Sequence, residues 1–426
     1  MLLAATLHLY CPLRQAPIFT VHFITYFPAP RSGIFLSFRI TMHLMVKKIV
    51  IFGMTTTSQF MDNRLRDVFF QLVRIGLWNK GSLVLNTALS EADWLQIRSY
   101  AIHHTVEGLI YDSFPFLEEQ QLPPQSLRLK WTVRVDQIER HNAKMNEVIA
   151  AQYTAFTKEG LRPILQKGQG VAACYEIPHH RMSGDIDWYF EEKGYAKARE
   201  ILKEKQLDFQ DTAGFSLFYE WQGIAIEHHK RLFHIRNPLQ YRYLGQLQRK
   251  YFQHQQGLIL NGTTIKTLAP ELQLLQVNVH IFKHLLSFGI GLRQLCDSAR
   301  LYHTVSTQVD PQALKEIYTH TGILAWTHLL HIILVKHLGL PEQSVPFPYP
   351  EKWDADWMMD EIFYSGNFGY HDERYKDGSF SPLSARPAGV HRIWSNMKRY
   401  FKYAPQEVFF YPFVQLYSKV LGIDDD

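Results

Sequence analysis

Between two long stretches of helical periodicity, residues 160–235 switch to short apolar runs separated by turn residues. Pro163–Gln166, Ile186–Phe190, Phe215–Trp221 and Ile224–Ile226 are too short for helices of ordinary length and read as strands. One helical stretch, Tyr195 to Lys205, lies among them. On the N-terminal side, Leu65, Val68, Phe69, Leu72 and Val73 share one helix face, and Ser90-Glu91-Ala92-Asp93 carries the spacing of a capping box. Pro123-Pro124 breaks the chain before Ser126–Lys158, a run without Pro or Gly that predicts a helix of about 30 residues. On the C-terminal side, Leu272, Leu275, Val279, Phe282 and Leu286 mark an apolar face. Leu292, Leu295 and Ala299 begin another helix after Gly289 and Gly291. Further helical patterns cover 311–339, 354–363, 388–402 and 406–421, and residues 365–387 read as a long loop. The predicted class is α+β, mostly helical. A small mixed-sheet core at 160–245 is flanked by a helical region at 61–159 and a helical domain at 246–426.

Composition sets limits on the partners. Hydrophobic content of 46% and charged content of 20% suit an ordinary folded chain. The net charge of +5 comes from residues 1–61, which hold Arg14, Arg31, Arg39, Lys47 and Lys48 and no acid. From Asp62 onward acidic and basic residues balance, so no global field draws the body to long nucleic acid. No apolar run reaches the roughly 18–20 residues of a membrane helix. Residues 1–60 read as an extension outside the fold, with Met61 as the start of the functional protein. Cys11, Cys174 and Cys296 have no metal or redox spacing and read as buried free thiols in a reducing, cytoplasmic setting.

The chemistry centres on Gly184-Asp185-Ile186-Asp187, which leads into an apolar strand. Side chains two apart on a strand emerge on one face, so Asp185 and Asp187 repel unless a cation lies between them. Mg²⁺ suits that position, because it takes carboxylate oxygens and retains places for substrate phosphates. Glu227, at the end of the apolar run Ile224–Ile226, supplies a third acid and a candidate ligand of the attacking-side ion in a two-metal site. Upstream, Lys167-Gly168-Gln169-Gly170 follows a strand as a glycine-rich turn. Gly168 and Gly184 would approach a triphosphate, with a helix at Val171–Tyr175 behind the turn. Lys167 and Arg181 are candidate phosphate neutralisers. Arg181 has an alternative as a partner of Asp185 or Asp187, and Asp297 is placed to hold a basic residue. Lys283 and His284 are candidates to face the nucleotide. His280 and His284 lie one helical turn apart but lack the glutamate of a zinc-protease signature. Arg392, Lys398, Arg399 and Lys402, interleaved with Trp394 and Tyr400, form an acid-free segment that reads as a solvated face or as a site for anionic headgroups.

Taken together, Lys167-Gly168, Tyr175, Arg181, Gly184-Asp185-Ile186-Asp187, Ile226-Glu227-His228-His229, His280-Ile281-Phe282-Lys283-His284 and Gly291-Leu292-Arg293 with Asp297 carry a resemblance. From about Met61 onward the chain resembles a bacterial family of uncharacterised nucleotidyltransferases within the DNA polymerase β-like superfamily, often associated with surface-polysaccharide gene clusters. The resemblance implies a core sheet with two Mg²⁺-binding aspartates and a third acid, an NTP donor and an unidentified acceptor. It leaves room for peripheral association with the cell envelope. The chain departs from the wider superfamily in having Gly168-Gln169 in place of a glycine-serine pair, at a long distance from Asp185. Two other readings of the same residues are a non-catalytic nucleotide-binding protein and a metal-dependent phosphohydrolase using His228 or His179.

Overall fold

The computed structural model describes residues 3–11, 14–25, 61–212, 216–369, 372 and 390–420. The chain divides into two compact units, Met1–Phe60 and Met61–Asp426. Within the first, β1 (Leu3–Cys11) and β2 (Arg14–Thr25) pair antiparallel. The sequence reading missed this hairpin, whose Ile18, Phe19, Val21, Phe23 and Ile24 favour a strand.

In the second unit, α1 (Asn63–Trp78) is capped by Asp62, whose carboxylate accepts from the Leu65 amide at 2.7 Å. The expected capping box of Ser90 and Asp93 opens α2 (Glu91–His103). After α3 (Glu107–Asp112), the long Gly- and Pro-free run forms α4 (Gln125–Lys158), 34 residues. Helices α1 and α3 touch through Gly76, where an added Cβ would lie 1.8 Å from the Leu109 carbonyl oxygen. Gly76→Ala is therefore expected to force these helices apart and cost about 1–3 kcal/mol, as overpacking does. Thermal unfolding of the variant checks this, and an unchanged midpoint would show that the helices are not packed so closely.

The sheet is built from β3 (Ile164–Gln166), β4 (Asp185–Tyr189), β5 (Phe209–Thr212), β6 (Ser216–Trp221), β7 (Ile224–His229), β8 (Gln256–Leu260) and β9 (Thr263–Thr267). Helix α5 (Gly168–Ala172) follows β3, α6 (Glu192–Glu204) follows β4, and α7 (Tyr241–Tyr251) precedes β8. Strand order is β5-β6-β7-β4-β3-β9-β8, with β4/β7 and β3/β9 parallel and the other pairs antiparallel. Alternation decides which side chains face which layer. Leu165, Ile186, Trp188, Leu217, Tyr219, Ile224 and Ile226 form one core with Met145, Val148, Ile149 and Phe156 of α4 and Ala198, Ile201 and Leu202 of α6. Asp185, Asp187, Glu227 and His229 fall on the opposite phase of the same strands.

The sheet continues past residue 245, where the sequence reading ended the α/β core. The β8–β9 hairpin joins it by pairing β9 to β3 at Leu165↔Thr267. Its two-residue turn, Asn261-Gly262 at φ 47° and 75°, is a hairpin signal that was present in the sequence.

Beyond the hairpin come α8 (Pro270–Ser287), α9 (Leu292–Val305), α10 (Pro311–His320), α11 (Leu324–Leu338), α12 (Asp356–Ser365), α13 (Val390–Tyr400) and α14 (Pro405–Val420). The expected helix over 311–339 is two helices, interrupted near Gly322 at φ 75°. Helix α8 is buried on nearly all sides and joins α1, α9 and α11 in one large core. Most of the expected loop over 365–387 lies outside the described residues. Cys174 and Cys296 are buried free thiols, as read from the sequence, whereas the Cys11 side chain lies outside the description.

The basic segment is not one solvated face. Arg392 and Tyr400 are buried and Arg399 pairs with Glu361 at 2.8 Å, leaving Lys398, Lys402 and Trp394 exposed. Among the described residues no helix is long and apolar enough to cross a membrane.

Candidate active site

Strand register brings the acids together. Parallel pairing of β4 with β7 sets Asp187 opposite Glu227 and Asp185 opposite Ala225, and antiparallel pairing sets Gln166 of β3 opposite Asp187. Adjacent strands lie roughly 4.8 Å apart, so same-phase side chains on β4 and β7 share one space. His229, two residues beyond Glu227, shares that phase. Its Nε2 lies 2.7 Å from Asp187 Oδ1 and 3.6 Å from Glu227 Oε2. Asp187, Glu227 and His229 each offer one ligand atom, all within 4.8 Å of one another, a grouping able to hold a metal ion.

The turn after β3 adds a cation. Lys167 adopts φ 41°, ψ −137°, a left-handed conformation that costs a non-glycine residue about 1–3 kcal/mol. Its Nζ lies 3.3 Å from Asp187 Oδ2. Both oxygens of Asp187 are thus engaged, one by Lys167 and one by His229. Gly168 also has a positive φ, 38°, and opens the five-residue α5.

The two aspartates are electrostatically unequal. The Asp185 carboxyl, at the exposed end of β4, is pushed up to about 6, chiefly by the charge of Asp187. Burial pushes Asp187 upward too, but Lys167 and His229 outweigh it and hold the group well below the usual carboxylate range. Lys167 is raised in turn, because the attraction of Asp187, Asp185 and Glu227 exceeds the opposing effect of burial. The pair therefore consists of one carboxylate held ionised by its two cationic neighbours and one that ionises less readily beside it.

A second wall is built by the segment before β4 and by α9. Arg181 makes a two-pronged pair with Asp297, Nε to Oδ1 and Nη2 to Oδ2, both 2.7 Å, and its Nη1 donates to Ser183 Oγ at 2.7 Å. The Tyr175 hydroxyl donates to Asp297 Oδ1 at 2.7 Å. Asn142 of α4 donates to the Arg181 carbonyl at 2.8 Å, and Arg293 Nη1 donates to the Met182 carbonyl at 2.7 Å. A third wall comes from α8, where the His280 and His284 rings meet edge to face at 4.4 Å. Burial, reinforced by Lys167 and the neighbouring His284, holds His280 well below its ordinary value; burial and Lys283 do the same to His234.

These walls enclose a cavity of about 330 Å³. The nine residues assigned from the sequence to the acid row or to phosphate and nucleotide contact all line it: Lys167, Gly168, Arg181, Gly184, Asp185, Asp187, Glu227, Lys283 and His284. Several details differ from expectation. Lys167 and Arg181 already face carboxylates, and Arg181's partner is Asp297 rather than Asp185 or Asp187. The helix behind the glycine turn is Gly168–Ala172, not Val171–Tyr175. An added Cβ on Gly184 would meet nothing within 4 Å, so close backbone packing does not explain that glycine.

His228, a ligand in the phosphohydrolase reading, points to the other face of the sheet. It is fully buried there, with Nε2 3.0 Å from the Tyr219 hydroxyl, and its ring packs on Phe156 and Phe190. His179 is exposed and lies off the cavity wall. The histidine that joins the acids is His229. The signal was available: on a strand running through Glu227, period-two alternation puts residue 229 on the acid face and 228 behind it.

The sequence profile of a family described as "Uncharacterised nucleotidyltransferase" matches residues 90–339, more than half of the chain and all of the sheet in the second unit. The chain belongs to that family. This membership assigns it a nucleotidyltransferase-like domain and a general role in nucleotidyl transfer. No curated protein matches the sequence. Among solved structures, an antigenic nucleotidyltransferase-like protein from Paracoccidioides brasiliensis is 15% identical, over 37% of this chain and 74% of its own, with a TM-score of 0.27. That overlap is too low for a comparison of site geometry.

Proposed function

We propose that the chain is a Mg²⁺-dependent nucleotidyltransferase of the DNA polymerase β-like superfamily. It moves an NMP from an NTP to a hydroxyl or phosphate of an acceptor and releases pyrophosphate. The observation carrying this reading is the register of β4 and β7, which faces Asp187 with Glu227 and keeps Asp185 beside them at the rim of a cation-walled cavity. The donor set fits a hard divalent ion: carboxylate oxygens dominate, and the one imidazole has its Nε2 already directed at Asp187. Asp185 and Asp187 would hold two ions, with Glu227 on the attacking side. Bound Mg²⁺ supplies charge stabilisation to the phosphoryl oxygens.

The chain's own residues do the rest. Lys167 and His229 fix the carboxylate of Asp187. Gly168 and Gly184 leave the cavity floor open to phosphate, while Arg181, locked by Asp297, shapes the wall. Lys283 and His284 face the nucleotide from α8. In the transfer, the acceptor oxygen bonds to the α-phosphorus as the bond to the bridging oxygen of the β-phosphate breaks, and pyrophosphate leaves with that electron pair. In this reading Glu227 would take the acceptor's proton. The resemblance read in the sequence adds a setting: a cytoplasmic bacterial enzyme, with ATP among its candidate donors. Its acceptor would lie in surface-polysaccharide metabolism, close to the envelope.

The test is incubation with each labelled NTP, Mg²⁺ and envelope extract, followed by identification of the labelled product. Label in an acceptor together with released pyrophosphate supports the proposal. Tight NTP binding without pyrophosphate release would assign the chain to the non-catalytic nucleotide-binding reading instead.

A further inference from the structure

The cavity contains arginines in two different states. Arg181 is neutralised by the two-pronged contact with Asp297. Arg293, on the first turn of α9, makes no ion pair among the described residues. Its one hydrogen bond from the side chain runs from Nη1 to the Met182 carbonyl, and its Nε is buried without an acceptor. A buried guanidinium donor left unpaired costs more than an ordinary hydrogen bond returns, and such a group in a native fold calls for a reason.

We infer that Arg293 is the polyphosphate-binding residue of this cavity, taking the phosphate oxygens that leave as pyrophosphate. This rests on the nucleotidyl-transfer reading and reassigns the role that the sequence gave to Lys167 and Arg181. Three observations support it. Lys167 is committed to the acids, with Nζ 3.3 Å from Asp187, and Arg181 is committed to Asp297, so neither has its charge at liberty. Arg293 is one of the residues lining the cavity. Its electrostatic neighbours include Arg181, Asp297, Asp185 and Tyr175, which sets it toward the Asp185 end of the acid row. With Glu227 on the attacking side, the leaving group lies toward that end. An anion between Arg293 and Arg181 would also relieve their mutual repulsion, which together with burial lowers the Arg293 guanidinium below its ordinary value. The planar fork suits phosphate oxygens in a way that a lysine ammonium does not.

The experiment is calorimetric titration of the full chain with inorganic tripolyphosphate in Mg²⁺, a probe that does not depend on which base the site prefers. AMP is titrated in parallel. Arg293→Gln is expected to weaken tripolyphosphate binding by roughly tenfold to a hundredfold, the range for a hydrogen bond to a charged group, while leaving AMP binding unchanged. Arg293→Lys is expected to fall between, because it keeps the charge and loses the fork. Circular dichroism checks the fold. If Arg293→Gln is unfolded, Arg293→Lys decides, with several-fold weakening supporting the assignment. Wild-type affinity in the folded variants would overturn it and leave the transferase reading standing, as would failure of the wild-type protein to bind tripolyphosphate while still transferring label. Loss of label transfer in the wild type, with the Arg293 effect on tripolyphosphate intact, would remove the transferase reading and keep the anion site.

Discussion

Asp187→Asn abolishes transfer of label from NTP, lowering the rate by on the order of 10³-fold, or about 4 kcal/mol of transition-state stabilisation. The magnitude follows from its position. Asp187 is the only group of the acid row that faces Lys167, His229 and Glu227 at once. Asparagine keeps the shape of the side chain but removes the charge on which the other groups are organised, and one of its two positions becomes a donor. The fold should survive, because Asp185 and Glu227 remain near Lys167 and the strand pairings of β4 use the backbone. Pyrophosphate release and a circular dichroism melt, measured on the same preparation, separate the two effects. Turnover within a few-fold of wild type would falsify the proposed role of the acid row.

The second large effect is on stability. Asp297→Ala leaves the buried Arg181 guanidinium without its carboxylate and the Tyr175 hydroxyl without its acceptor. Removing one partner of a buried pair typically costs about 3–5 kcal/mol, because the remaining charge stays desolvated. Pairing Arg181→Met with Asp297→Leu should recover part of that loss, since an apolar pair of similar volume carries no stranded charge. Urea denaturation of the single and double variants measures the difference. A cost below about 1 kcal/mol for the single change would show that water reaches Arg181 freely.

The sequence made the acid row legible for a simple reason. Asp185 and Asp187 stand two apart beside an apolar run, and strand geometry leaves such a pair little choice of direction. Capping at Ser90 and the length of α4 were equally local, set by a hydroxyl, a carboxylate and the absence of Gly and Pro over 34 residues. Most of what escaped depends on contacts distant in sequence. The threonine-rich β9 has a weak apolar pattern and becomes a strand of the main sheet only through its contact with β3. Arg181 has several acids within reach in sequence, and only the packing of α9 against the segment before β4 selects Asp297. His229 and His228 are adjacent and chemically identical, and they separate only once β7 is known to run through to residue 229.

The pairing of Leu165 with Thr267 carries a consequence for how the molecule comes into being. Joining positions roughly a hundred residues apart demands a large loss of chain freedom before any contact compensates, and such closures are slow beside helix formation. The residues of α8 and α9 that face the acids emerge from the ribosome only after that strand. A nascent chain therefore carries its carboxylates before it has the opposing wall, and the cleft cannot be complete until α8 and α9 have been made.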